Sequence, residues 1–175
     1  MDRLTAIRNL NDMLLAEMPE YRLQAGGFPP DDAAQRRLLR SLMNVRPPMP
    51  LRRDFLALQD ALLSEEREAR GAVEADSLPV TAGNPRLALW RGDITRLRAA
   101  AVVDADNSAV LGCFCPCHGC VDNAIHSAAG LQLRDECGRI MRAQGHPEPA
   151  GQAKLTGGYN LHARYVLNTV GPVVQ

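Results

Sequence analysis

Four cysteines and a histidine fall within eight residues, Cys113-Phe-Cys115-Pro-Cys117-His118-Gly-Cys120, and this run restricts the chain more than any other feature. A disulfide framework spreads its cysteines to close long loops and belongs to an oxidising compartment. Here only Cys137 lies outside the cluster, and the N-terminus Met1-Asp2-Arg3-Leu4 lacks the apolar run of a signal peptide. The run therefore reads as a metal site in a protein expected to be cytoplasmic. Thiolate and imidazole suit Zn²⁺. Cys113-x4-His118-x-Cys120 supplies three donors, and Cys115 and Cys117 are further candidates. Four protein ligands would make a closed, structural site; three would leave a position for water or substrate. The chain has no second CxxC and no HxxxH, which argues against a finger. The competing reading is a set of buried free cysteines acting as small hydrophobes.

Charge narrows the partners. Twenty basic and twenty acidic residues among 175 give zero formal net charge, so no nucleic-acid partner is expected. All basic residues but Lys154 are arginines, and along the sequence they look scattered rather than patched. No stretch approaches the roughly 20 apolar residues of a membrane helix, so no membrane partner is expected either.

The first 72 residues are expected to form a helical extension. Leu4, Ile7, Leu10 and Leu14 recur at helical spacing behind Asp2 as an N-cap, and Pro19 ends the run. Asp31 and Asp32 open a second helix with Leu38, Leu39, Leu42 and Met43 on one face, broken by Pro47, Pro48 and Pro50. Phe55, Leu58, Leu62 and Leu63 mark a third. Stripes of this kind are packing surfaces, and no chemistry is assigned to them. From about residue 73 to 175 a second unit is expected. Gly71 to Pro85 reads as a connector and Arg86–Trp90 as a short extended segment. Ala100–Val103 and Arg164–Val170 read as buried strands, and residues 123–129 and 131–143 as helices broken at Gly130. Alternating strands and helices predict an α/β fold with a mixed or parallel sheet. Asp93 and the turn Asp104-Ala105-Asp106-Asn107 each follow a strand end, where open α/β sheets bind ligands. Ordinary turn and cap residues look the same.

Taken together, these segments resemble macrodomains, the ADP-ribose-binding fold. Leu89-Trp90-Arg91-Gly92-Asp93-Ile94-Thr95 resembles their opening strand and turn. Val103 to Leu111 is similar to their Val-Asn-Ala-Ala-Asn-Ser strand end. Gly157-Gly158-Tyr159-Asn160-Leu161 and Tyr165 to Pro172 resemble Gly-Tyr-Asn-Leu-Pro and Tyr-Val-Ile-His-Thr-Val-Gly-Pro. Residues 112–126 are similar to one branch, in which a zinc loop replaces the first glycine-rich loop. The implied fold is a three-layer α/β/α macrodomain with a mixed sheet, its C-terminal part missing, behind a helical N-terminal extension. Cys113, His118 and Cys120 are the implied zinc ligands, with Cys115 and Cys117 at variable positions. Asp93 is implied to accept from the adenine amine, with the Ile94 backbone beside it. Asn107 is implied to hold the distal ribose and to act in catalysis. The implied activity is hydrolytic removal of ADP-ribose from modified proteins. The partners so implied are an ADP-ribosylated lipoyl carrier protein and a sirtuin-type ADP-ribosyltransferase. A non-catalytic ADP-ribose reader and an inactive zinc-binding remnant are the alternatives.

Three departures stand out. Asp104 replaces the family's first Asn, Asp106 replaces a small residue, and His162 replaces a Pro. Two carboxylates near a diphosphate would repel it unless they turn away or hold protons. The sequence stops at Gln175, just past a strand, so the second glycine-rich loop is expected to be absent.

Overall fold

The computed structural model describes residues 1–172; the last three residues of the expected second unit, 173–175, lie outside the described residues. Four helices open the chain: α1 (Arg3–Glu17), α2 (Arg22–Ala25), α3 (Asp32–Val45) and α4 (Arg53–Arg70). Asp2 caps α1 by accepting from the Thr5 amide at 3.0 Å, and Asp31 caps α3 from Ala34 at 2.9 Å. Each satisfies an amide with no partner within its helix. Ile7, Leu10 and Leu14 of α1 meet Leu38, Leu39 and Leu42 of α3 and Phe55, Leu62 and Leu63 of α4 in one core. The expected stripes are thus packing surfaces.

The connector is more structured than expected. It holds β1 (Val73–Glu74), β2 (Val80–Thr81) and β3 (Asn84–Ala88). β1 pairs in parallel with β4 (Leu97–Arg98), and β2 and β3 form an antiparallel hairpin. The expected extended segment around Leu87 thus exists, but it stands outside the main sheet with every residue exposed.

The main sheet contains β5 (Ala101–Asp106), β6 (Ala153–Gly157) and β7 (Tyr165–Val170) in the order β5-β7-β6. β5 runs parallel to β7 and β6 antiparallel, so the sheet is mixed. Between β5 and β6 come α5 (Val121–Ala129) and α6 (Leu131–Gln144), broken at Gly130 as expected. Their apolar faces cover one side of the sheet: Ile125, Leu133 and Cys137 pack on Val102 and Val166. On the other side Val103 and Leu155 are more than half exposed, and no helix covers them among the described residues. No helix among those residues is long and apolar enough to cross a membrane.

The two units are joined tightly. Buried Gln59 of α4 accepts from the Leu131 amide at 3.0 Å. Asn160 donates to Asp60 at 2.8 Å and to the Ala129 carbonyl at 3.0 Å. Leu131 itself belongs to the helical core.

Candidate functional site

β5 ends at Asp106, and the chain turns at once. Asn107 accepts from the Ala109 amide at 2.9 Å through Oδ1, while its NH₂ group has no partner among the described residues. The Val110 amide closes on the Asn107 carbonyl at 3.0 Å. Val110 is fully buried at φ 52°, a left-handed conformation costly for a β-branched side chain. This strained turn launches the cysteine loop.

The loop gathers three donors. The Cys113 Sγ lies 3.7 Å from His118 Nδ1, and these atoms with the Cys120 Sγ all fall within 4.8 Å of one another. Sulfur and nitrogen bound tetrahedrally to one Zn²⁺ stand about 3.6 Å apart, given bonds of about 2.3 and 2.0–2.1 Å. The donor set therefore fits zinc in both chemistry and spacing. Cys120 is also the N-cap of α5, its sulfur 3.4 Å from the Asn123 amide. Burial pushes its thiol above the ordinary value, while that amide pulls it down. Cys115 is exposed, and the Cys117 sulfur faces Ser41 Oγ at 3.3 Å. Neither joins the set.

Side chains from outside the loop hold it. Arg134 of α6 donates to the carbonyls of Leu111 at 2.7 Å and Cys113 at 3.2 Å. The same guanidinium reaches Met43, Asn44 and Arg46 at 3.0, 2.6 and 2.9 Å, and lies 4.3 Å from the centre of the Phe114 ring. From α3, Arg40 donates to the His118 carbonyl at 3.3 Å and to Asn123 Oδ1 at 2.7 Å, while Asn44 accepts from the Cys117 amide at 2.9 Å.

Asp93 caps a short 3₁₀ turn, Ile94–Arg96, with its Oδ1 accepting from the Thr95 amide at 2.9 Å and hydroxyl at 2.7 Å. Its Oδ2 faces Arg70 at 3.6 Å. Asp93 and Thr95 lie at one side of a cleft of about 860 Å³ whose lining also includes Cys117 and Arg3, Arg36, Arg37, Arg40 and Arg70. This corrects two sequence expectations. Arginines scattered along the chain converge in space, and the N-terminal helices line this cleft as well as packing. Spacing between helices, invisible in one dimension, gathers these side chains. Asn107, Cys113, His118 and Cys120 are not among the residues lining this cleft, so the cleft unites Asp93 with the loop only through Cys117.

Asp104 and Asp106 both turn inward. Strand alternation puts them, with Val102, on the buried face of β5. There they meet two residues of α5: Asp122, which the sequence did not single out, and His126, which as a lone histidine reads as a structural residue. Burial, then Asp122 and Asp106, push Asp104 up to about 8. Burial and Asp122 push Asp106 up to about 7. Burial, with Arg134 nearby, drives His126 down to about 3, so its imidazole is neutral.

Comparison with known proteins now bears on the site. Residues 103–175 match the family model described as Macro domain. A macrodomain from Trypanosoma brucei in complex with ADP-ribose superposes with a TM-score of 0.52 at 32% identity, covering 75% of this chain and 59% of that one. The fold is that of a macrodomain. A protein-ADP-ribose hydrolase of Treponema medium is 49% identical over 168 residues, covering 95% of this chain and 64% of its own length. One from Staphylococcus aureus (strain COL) is 45% identical over 138 residues, with 79% and 51% covered. The chain thus spans between half and two thirds of the length of those curated relatives.

Proposed function

We propose that this protein is a zinc-dependent hydrolase that removes ADP-ribose from modified proteins. The observation that carries the reading is the convergence of Cys113, His118 and Cys120 on a loop that begins just past Asn107. A thiolate–imidazole set of three leaves a metal a free position, which a purely structural site does not need. The relatives named protein-ADP-ribose hydrolase support removal of ADP-ribose, and the ADP-ribose complex of the Trypanosoma brucei macrodomain supports the ligand.

Each residue has a role in this reading. Asp93, held by Thr95, accepts from the adenine amine through Oδ2, with the Ile94 backbone beside it. Asn107 donates its free NH₂ to a hydroxyl of the distal ribose. Cys113, His118 and Cys120 hold the metal. Zinc, when bound, supplies Lewis-acid polarisation at the reacting ribose. The cleft lining sets five arginines against Glu65, Glu66 and Asp93, a positive balance suited to an anionic ligand even with Arg3 and Arg36 paired to Glu66. From the family resemblance we carry over a sirtuin-type ADP-ribosyltransferase and a lipoyl carrier protein as partners. Clustered reduced thiols suit a cytoplasmic setting.

The test is single-turnover release of ADP-ribose from a modified lipoyl carrier protein, with binding measured separately. Asn107→Ala should slow release by about 100-fold or more with binding little changed, because it acts at the reacting centre. Asp93→Ala should weaken binding by about tenfold, worth about 1.4 kcal/mol, with the rate nearly intact. A folded, zinc-free Cys120→Ser that turns over at the parent rate overturns the metal's role. Tight ADP-ribose binding with no turnover in the parent makes the protein a reader instead.

A further inference from the structure

We propose that Asp104, Asp106, Asp122 and His126 form a second cation site, distinct from the cysteine loop, that takes one hard divalent ion of the Mn²⁺ type beneath the end of β5. One ligand atom from each of the four lies within 4.8 Å of the others, and all four residues are buried. Two periodicities bring them together. Alternate positions on β5 put Asp104 and Asp106 on its helix-facing side. The i, i+4 spacing puts Asp122 and His126 on one face of α5.

Much of the cluster is unsatisfied as it stands, although the Asp106 and Asp122 carboxyls lie close enough to share a proton. Both Asp104 oxygens, Asp106 Oδ2, Asp122 Oδ1 and both His126 ring nitrogens are buried without a hydrogen-bond partner among the described residues. The His126 side chain is 3% exposed and aimed into the carboxylates. Orphaned buried polar atoms cost about 1–3 kcal/mol each, and neighbouring carboxylates cannot all ionise in the interior without a counter-charge. Either protons or a cation must resolve this.

Spacing favours the cation. The His126 Nε2 stands 3.7 Å from Asp104 Oδ2 and 3.6 Å from Asp122 Oδ1. Both are too long for hydrogen bonds. Two ligands bound about 2.1 Å from one shared ion stand about 3.0 Å apart at the 90° of an octahedral site and about 3.4–3.6 Å apart at 110–120°, so small side-chain shifts close both pairs on one ion. Charge agrees. Three carboxylates face one fixed cation, Arg134, whose field reaches Asp122 and Asp106 and whose donors are committed to backbone carbonyls. A divalent ion completes the neutralisation. Donor chemistry selects the ion: carboxylates favour Mg²⁺, Ca²⁺ and Mn²⁺ over Zn²⁺, and the imidazole favours Mn²⁺ among these. The backbone helps seal the site. Gly112 has φ +77°, and a Cβ there would lie 2.9 Å from the His126 ring, so the start of the loop lies directly on the imidazole.

The inference is independent of the proposed hydrolase activity. Its test is Mn²⁺ titration of the chelator-treated full chain, followed by loss of the free-ion electron paramagnetic resonance signal. The same titration on Cys113→Ser/Cys120→Ser removes the loop from the count. One Mn²⁺ per chain should bind in both proteins and raise both melting temperatures. Asp104→Asn, nearly isosteric, should weaken Mn²⁺ binding by more than about 100-fold, because even an outer-shell partner is worth 10–100-fold. Asp106→Asn serves as a second variant should Asp104→Asn not fold. Failure of the folded double-serine variant to bind Mn²⁺ overturns the proposal and identifies the cluster as a proton-sharing network. Unchanged binding in a folded Asp104→Asn or Asp106→Asn overturns it too.

Discussion

Replacing Arg134 by Met should destabilise this protein more than any surface change. The guanidinium donates to five carbonyls: Met43, Asn44 and Arg46 at the end of α3, and Leu111 and Cys113 at the start of the cysteine loop. A helix C-terminus leaves its last carbonyls without partners and carries partial negative charge, so a cation there satisfies both. Hydrogen bonds from a charged donor contribute about 1.5–3 kcal/mol each, so the gross loss exceeds about 7 kcal/mol. Part returns, because Met no longer has to bury a charge; burial already lowers the Arg134 pKa to about 10. Breaking a buried charged network leaves a net loss of about 3–5 kcal/mol. Loss of the contact with the Phe114 ring adds about 0.5–1 kcal/mol. For a chain of this size the melting temperature should fall by roughly 10–15 °C. Circular dichroism melts, with urea titration as a check, measure it. Arg134→Lys should recover part of the loss, because an ammonium offers three donors from one point rather than a fork. An Arg134→Met melt within about 3 °C of the parent, or a Lys variant equal to the parent, would refute this account.

Two further predictions test the surroundings of the loop and cleft. Arg40→Ala removes the donor to the His118 carbonyl and Asn123, and should lower zinc affinity by about 10–100-fold in competition against a chelator while the helical signal stays unchanged. Glu66 accepts from Arg36 at 2.7 and 2.8 Å and from Arg3 at 2.7 Å. Burial raises its pKa, but the two arginines outweigh burial and hold it below the ordinary value. A lowered folded pKa gives stability present above the unfolded value and lost as pH falls through the folded one. Glu66→Gln should therefore lower the urea midpoint at pH 7 and converge with the parent below about pH 3.

What the sequence revealed follows from range. Helices α1, α3 and α4, and the aspartates that cap the first two of them, were legible because period and cap are local signals. β5, β7 and the α5–α6 break at Gly130 were legible for the same reason. A run of candidate metal donors was legible because all of them lie within eight residues, but the choice of Cys113 over Cys115 and Cys117 came from the family resemblance and not from spacing. β6 escaped notice: Ala153, Lys154 and Gly157 are poor strand formers, and the segment is fixed by its ladder to β7. The arginine-lined cleft escaped because Arg3, Arg36 and Arg70 meet only through helix packing. Asp104-x-Asp106 and Asp122-x3-His126 were each readable as faces of a strand and a helix. That the two faces oppose one another depends on how α5 crosses β5, and no local pattern encodes a crossing.

The bracing of the cysteine loop by α3 has a thermodynamic corollary. Arg40 and Asn44 contact the loop only while the N-terminal helices are docked. Whatever free energy docking lends to an ion held by Cys113, His118 and Cys120, the ion must return to docking in equal measure. Occupancy of the loop and closure of the helical unit are then two readings of one equilibrium. Proteolytic nicking near Gly71, where the two units join, becomes a gauge of how much metal the loop holds.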